Sequence, residues 1–308
     1  MVLPDRLSGI LCPVVTPFHK DLRPNSDTLI RQCQWLLSQN VGLAVFGTTS
    51  EANSMSVAEK IRLLDCLVDA GIDRERMMPG TGCSALSDTV ELTRHAVDSG
   101  CAGCLMLPPF YYKDVSDDGL FASYAEVIER VGNECLRIYL YHIPPIAQVG
   151  LSIDLIERLV TTYPDTVVGI KDSSGDWENT HAILERGFDD FRVFAGSESF
   201  LLKNMQHGGA GCISATANVN PAAIDRLFAA WQGDDAADLQ EELGEIRSIV
   251  EEYPMIPAVK AIVASCSDDA GWKTVRPPLI ELSDERQESL MGALKHLGFE
   301  MPGILTFD

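Results

Sequence analysis

The chain has 308 residues, 46% hydrophobic and 22% charged, a globular composition with enough apolar surface for a substantial core. Against 24 Lys and Arg stand 45 Asp and Glu, a formal net charge of -21. Such a surface repels phosphate backbones and anionic bilayers, so neither nucleic acid nor a membrane is an expected partner, and an anionic ligand needs local cations or N–H donors at its site. The start Met1-Val2-Leu3-Pro4-Asp5-Arg6 lacks a basic segment followed by an apolar stretch, and the nine cysteines are scattered; both point to a cytoplasmic protein with reduced thiols.

Apolar run, turn and amphipathic stretch then repeat. Candidate strands cover 10–16, 41–47, 76–80, 103–107, 136–141, 167–171, 191–195 and 211–214. Helix-like stretches between and after them cover roughly 26–39, 56–70, 87–98, 117–131, 152–161, 177–186, 198–207 and 221–232. Ser56-Val57-Ala58-Glu59 has the capping-box form and marks a helix start. Eight alternations predict an α/β fold with an all-parallel sheet, and the count fits a (β/α)8 barrel over residues 1–232. An open doubly wound sheet is the alternative. It is expected to carry a Gly-rich phosphate turn after its first strand, and Thr16-Pro17-Phe18-His19 is no such turn. Further helical patterns at 235–251, 255–266 and 283–297 predict a C-terminal helical appendage, residues 233–308, packed on the barrel as one structural unit. Cys101-Ala102-Gly103-Cys104 has the C-x-x-C form but leads into Leu105-Met106-Leu107 without a second pair or a nearby His, and reads as core packing.

In a parallel barrel, chemistry sits at the C-terminal ends of the strands. Lys171 closes the run Val167-Val168-Gly169-Ile170, a fully buried strand by its composition. Desolvation there disfavours the ammonium and favours a neutral amine, the form a Schiff-base nucleophile needs; the alternative is a strand-end lysine that snorkels to water. Tyr139 and Tyr141 share one face by period two, with Tyr141 nearer the strand end, and His142 faces the other way. Tyr141 is read equally as a proton-transfer phenol and as a packing aromatic. Gly47-Thr48-Thr49-Ser50-Glu51 offers backbone N–H and hydroxyl donors that can hold a carboxylate without a cation, or else an ST-turn that only shapes the loop. Small residues at Gly196-Ser197 and Ser214-Ala215 leave room for a ligand beside the amine.

Gly47-Thr48-Thr49-x-Glu51, Tyr141-x-x-Pro144, the run from Gly169 to Gly175 and Gly208-Gly209-Ala210-x-Cys212-Ile213-Ser214 together resemble the dihydrodipicolinate synthase / N-acetylneuraminate lyase superfamily, which comprises pyruvate-dependent class I aldolases and related lyases. The similarity runs from Gly9 to about Leu297 and takes in Ile256-Pro257-Ala258-Val259-Lys260 and Arg276-Pro277-Pro278-Leu279. The resemblance implies that Lys171 forms an imine with a 2-oxo acid, with no cofactor and no metal, and that Tyr141 is the general acid/base. It implies that Thr48 and Thr49 bind the carboxylate, with Thr48 relaying protons to Tyr141. Gly47, Ser173, Gly196, Glu198, Ser214 and Ile146 would complete the substrate site. Tyr111 matches a tyrosine lent to a neighbouring subunit, which implies a homodimer or a homotetramer; Tyr112 is the alternative ring.

Two departures bear on the substrate. The family's amino-acid biosynthetic members carry an arginine after Tyr-x-x-Pro, and Ile146 stands there instead, unable to pair with a carboxylate. The sialate-lyase branch places two acids after the seventh-strand glycine, whereas Ser197-Glu198-Ser199 has one. The expected activity is therefore a lyase or aldolase that cleaves or forms a C–C bond in a 2-oxo acid with pyruvate as product or donor. A 2-keto-3-deoxy sugar acid dehydratase, a hydroxyproline-pathway deaminase, 4-hydroxy-tetrahydrodipicolinate synthesis and a non-catalytic 2-oxo-acid-binding protein are the alternatives.

Overall fold

The computed structural model describes residues 6–306. Seven short strands occur in chain order: β1 (Gly9–Cys12), β2 (Gly42–Leu43), β3 (Cys104–Met106), β4 (Ile138–His142), β5 (Val167–Asp172), β6 (Arg192–Ala195) and β7 (Gly211–Ile213). Helices α1 (Ser26–Ser38), α2 (Val57–Asp69), α3 (Leu86–Asp98), α4 (Asp117–Val131), α5 (Pro144–Ala147), α6 (Ile153–Thr162), α7 (Trp177–Glu185), α8 (Leu201–Gln206) and α9 (Pro221–Ala230) alternate with them. Then α10 (Ala236–Glu251), α11 (Met255–Ser267) and α12 (Asp284–His296) close the chain. The molecule is thus a mixed α/β protein whose strand pairings are parallel. No helix among the described residues is long and apolar enough to cross a membrane.

The chain divides into two compact units. One comprises the residues up to Gly9 together with Asp73–Ile213, and the other comprises Ile10–Ile72 with Ser214–Asp308. In the first, β3 to β7 pair in sequence order, each with the next. The β4–β5 edge sets the register that matters most: Tyr141 lies opposite Lys171 and His142 opposite Asp172. That edge is fixed by a close fit. The buried ring of Tyr139 lies over glycine backbone on both flanks, so that a Cβ at Gly103 would come within 2.6 Å of it, as would one at Gly169. The phenol at its far end accepts the Leu7 N–H at 2.7 Å.

The third candidate strand, 76–80, is not a strand. It runs beside β3 and makes a single parallel bridge, Gly80 to Leu105. Pro79 accepts from Leu105 N at 2.9 Å but has no N–H to return, which breaks the ladder at its centre. Of the two C-x-x-C thiols, Cys101 and Cys104 are both buried, and burial pushes both up, Cys101 to about 12. They are core residues kept protonated.

In the second unit β1 pairs with β2 and the C-terminal helices supply the core partners. Helix α2 starts as its capping box requires, with Ser56 Oγ accepting Glu59 N–H at 3.2 Å and Glu59 Oε2 accepting Ser56 N–H at 2.9 Å. The same Glu59 carboxylate also takes a fork from Arg276, whose Nη1 lies 3.0 Å from Oε2 and Nη2 2.5 Å from Oε1. Arg276 further donates to Ser54 O and Leu22 O, so one guanidinium ties two loops to a helix start.

Two outcomes are expected. Replacing Gly169 with Ala puts a methyl 2.5 Å from Arg192 O and 2.6 Å from the Tyr139 ring. Overpacking of this kind costs about 1–3 kcal/mol, and a lowered thermal midpoint with a loosened β4–β5 edge by amide exchange should follow. The Arg276 fork holds Glu59 well below its ordinary 4.5, at about 2. The folded state therefore binds fewer protons than the unfolded chain across that window, so the contribution is complete above pH 4.5 and lost as pH falls towards 2. Glu59→Gln should be less stable than wild type at neutral pH in denaturant titrations, with the gap closing through that acid window.

Candidate active site

The reactive pair belongs to the first unit. Lys171 is the penultimate residue of β5 and 4% exposed; Tyr141, its in-register neighbour on β4, is 3% exposed. Lys171 Nζ donates to Tyr141 Oη at 3.2 Å and lies 4.4 Å from the ring centroid. Adjacent parallel strands place equivalent residues on the same face, so register alone delivers the amine to the phenol. A primary amine and a phenol in hydrogen-bond contact, screened from water, form a nucleophile with its own proton carrier.

The other face of the same two strands is built differently. His142 Nδ1 accepts the Leu151 N–H at 3.0 Å, which leaves the neutral ring's proton on Nε2. Burial lowers its pKa, opposed by the Asp172 carboxylate. Asp172 itself accepts from Ser174 N at 2.8 Å, Asn179 Nδ2 at 2.9 Å and Thr180 Oγ1 at 2.7 Å, fastening the end of β5 to the start of α7. His142 and Asp172 thus brace the strand ends from behind the reactive face.

The remaining first-unit candidates fall at the same ends. Ser173 N donates to His142 O and Gly196 N to Asp172 O, each at 2.7 Å. A Cβ at Gly196 would lie 2.1 Å from Ser173 Oγ, so this turn after β6 can only be glycine. Glu198 is buried, in the short turn Glu198–Phe200 that follows. Ile146, in α5 just after β4, is 62% exposed. Tyr111 and Tyr112 point to solvent, 74% exposed each and edge to face at 5.4 Å. Within one chain Tyr111 is thus displayed outward while Lys171 and Tyr141 are buried.

In the second unit the threonine turn is built around its neighbours. Thr48 and Thr49 are half-buried; Ser50 is fully buried. The buried Ser50 hydroxyl accepts the Gly47 N–H at 3.2 Å. Ser50 O accepts from Thr16 Oγ1 at 2.7 Å. Glu51 next to it is held by α11 and by the segment before α12: Lys260 Nζ lies 2.7 Å from Oε1, and Arg276 N donates to Oε2 at 2.9 Å. The Ser214 hydroxyl, immediately after β7, accepts from Arg247 Nη1 at 3.0 Å, and Arg247 Nε pairs with Glu251 Oε1 at 2.7 Å on α10. Sequence reasoning assigned Arg247 no place and quoted Lys260 without a role. Their partners are 33 and 209 residues away, and no spacing pattern signals such pairs.

A sequence model of the Dihydrodipicolinate synthetase family matches residues 6–297. An uncharacterized DapA-like lyase of Chloroflexus aurantiacus is 33% identical over 94% of this chain and 96% of its own. A 4-hydroxy-tetrahydrodipicolinate synthase of Methanococcoides burtonii is 32% identical over 94% and 98%. Among solved structures, YagE, an E. coli K12 prophage protein of the dihydrodipicolinic acid synthase family in complex with pyruvate, superposes with a TM-score of 0.88 at 25% identity, covering 96% of this chain and all of that one. With a buried lysine–tyrosine pair at the strand ends and a family match over nearly its whole length, the chain belongs to the dihydrodipicolinate synthetase family of lyases.

Proposed function

We propose that this protein is a class I lyase or aldolase that works on a 2-oxo acid through an imine at Lys171, within a (β/α)8 barrel of residues 1–232 carrying the helices of 233–308. The observation that carries the reading is the 3.2 Å contact between Lys171 Nζ and Tyr141 Oη on adjacent buried strands. The amine adds to the C2 carbonyl, the carbinolamine loses water, and the imine becomes an electron sink. Tyr141 takes the proton from the hydroxyl on C4. The C3–C4 electrons then pass into the enamine as the aldehyde leaves. Protonation at C3 and hydrolysis of the imine return pyruvate and free Lys171. Thr48 and Thr49 hold the carboxylate, and Thr48 passes protons to Tyr141. Ser173, Gly196, Glu198 and Ser214 line the remainder of the substrate site. No metal or organic cofactor enters the scheme. The pyruvate bound by YagE supports a 2-oxo acid as ligand. Tyr111, outward on its loop, is offered to a partner subunit, and the assembly is an even-numbered homo-oligomer in the cytoplasm.

The name of the Methanococcoides relative favours a second reading, 4-hydroxy-tetrahydrodipicolinate synthesis. Ile146 argues against it. Replacing an arginine–carboxylate contact by an alkyl group forfeits about 1.5–3 kcal/mol, roughly tenfold to over a hundredfold in affinity.

Borohydride reduction in the presence of pyruvate should leave a pyruvate-sized adduct on Lys171 by peptide mapping, and Lys171→Ala should show neither adduct nor turnover. Full activity in Lys171→Ala would sink the imine mechanism. With longer 2-oxo acids, the same small adduct marks C–C cleavage, whereas an altered full-length adduct marks dehydration or deamination. Condensation of pyruvate with aspartate semialdehyde should be slow, and Ile146→Arg should raise its kcat/KM by about tenfold. Fast turnover by the unaltered chain would reinstate the synthase reading.

A further inference from the structure

The turn that carries Thr48 and Thr49 is strained, and part of what holds it comes from distant segments of the second unit. Two non-glycine residues bracket it in the left-handed region, Phe46 at φ 61° and Glu51 at φ 57°. Such a conformation is costly for a residue with a side chain and persists only where the surroundings over-determine it. Three backbone bonds close the turn locally. Ser50 N donates to Gly47 O at 3.1 Å, Glu51 N to Thr48 O at 3.1 Å, and Ala52 N to Gly47 O at 3.3 Å.

What over-determines the turn lies beneath it. Lys260, wholly buried on α11, donates to Glu51 Oε1 at 2.7 Å and to Thr16 O at 2.9 Å, with its ammonium 4.6 Å from the Phe18 ring centroid. Thr16 returns a bond to the turn through its hydroxyl, to Ser50 O. One ammonium therefore reaches the turn by two routes, through the Glu51 carboxylate and through Thr16. The other carboxylate oxygen is taken by the Arg276 backbone N–H, and the Arg276 side chain is itself forked onto Glu59. A buried ion pair with both partners fully hydrogen-bonded contributes geometry more than stability.

We propose that Glu51 and Lys260 are positioning residues for substrate carboxylate binding: a buried staple from the C-terminal helices that fixes the Thr48-Thr49 turn. The inference rests on the reading that these threonines take the carboxylate of the 2-oxo acid. Charge and geometry give opposite signs at Glu51. If the ion pair acted on the substrate only through its field, Glu51→Gln would remove a negative charge and tighten anion binding. If it acts as a staple, the same change loosens the turn and weakens binding.

The test is the pyruvate concentration giving half-maximal borohydride-trapped adduct on Lys171, together with the adduct yield at saturation. In Glu51→Gln the half-maximal concentration should rise by about tenfold while the saturated yield stays near that of wild type. The pair Glu51→Gln with Lys260→Met restores neutrality without the staple and should stay weak. Thr16→Val, a milder change that cuts only the second route, should shift the same value by a few-fold, and it carries the test if Glu51→Gln does not fold. Unchanged or tighter half-saturation in both Glu51→Gln and Thr16→Val would overturn the proposal. So would recovery of wild-type affinity in the double variant. Absence of any adduct in the wild-type protein would instead remove the imine reading, and this proposal with it.

Discussion

A buried amine must be given a partner, and the partners of Lys171 and Lys260 decide what each can do. Lys260 meets a carboxylate at 2.7 Å. Burial lowers its pKa while Glu51 opposes that, and the result is an ion locked into a fixed lattice of acceptors. Lys171 meets a phenol at 3.2 Å, on a strand whose register allows little else. A phenol can give or take a proton and can turn towards a substrate; a doubly held carboxylate does neither. The first lysine is therefore a tie and the second is the one proposed as a reagent, although both are almost sealed from water.

The register behind the Lys171–Tyr141 pair depends on what is missing from the neighbouring strands. Tyr139 fills the space left by two absent side chains, Gly103 on one flank and Gly169 on the other. A methyl at either place would meet its ring or the adjoining backbone. The wide ring locks β4 between its neighbours, and the next inward-facing residue on β4 is Tyr141. The pleat places His142 on the reverse face, where it and Asp172 secure the strand ends to the loop at Leu151 and to α7. Precision at the reactive face is thus a consequence of packing two residues earlier and of hydrogen bonds on the far side.

Much of this was legible because period two and strand-end position are local properties. The candidate strands around Lys171 and Tyr141, the opposed directions of Tyr141 and His142, the capped start of α2 and the helices after residue 232 all follow from short windows. Three things were not legible, each for a physical reason. The segment 76–80 has an apolar strand's composition, yet Pro79 withholds the N–H that a ladder needs. Ser50 is fully buried with its hydroxyl accepting the Gly47 N–H, an inward orientation that residue type alone does not signal. Arg247, Lys260 and Arg276 owe their places to partners far along the chain, and a cation in a short window reads as solvated until its partner is known.

Those three cations change the meaning of the C-terminal helices. A strongly acidic chain can accommodate an anionic ligand in two ways: put a cation in contact with the ligand, or build a neutral cradle and keep cations one layer back. In the second unit these three are already engaged with protein acceptors. Lys260 answers Glu51, Arg276 answers Glu59, and Arg247 answers Glu251 while touching the Ser214 hydroxyl. Each local charge is cancelled by an acid beside it, and what remains for a ligand is a set of oriented hydroxyl and amide dipoles. Such a cradle binds by shape and by donor direction, so its affinity depends on how stiffly the turn is held. Stiffness is what α11 and the Arg276 segment supply to the turn at Thr48 and Thr49.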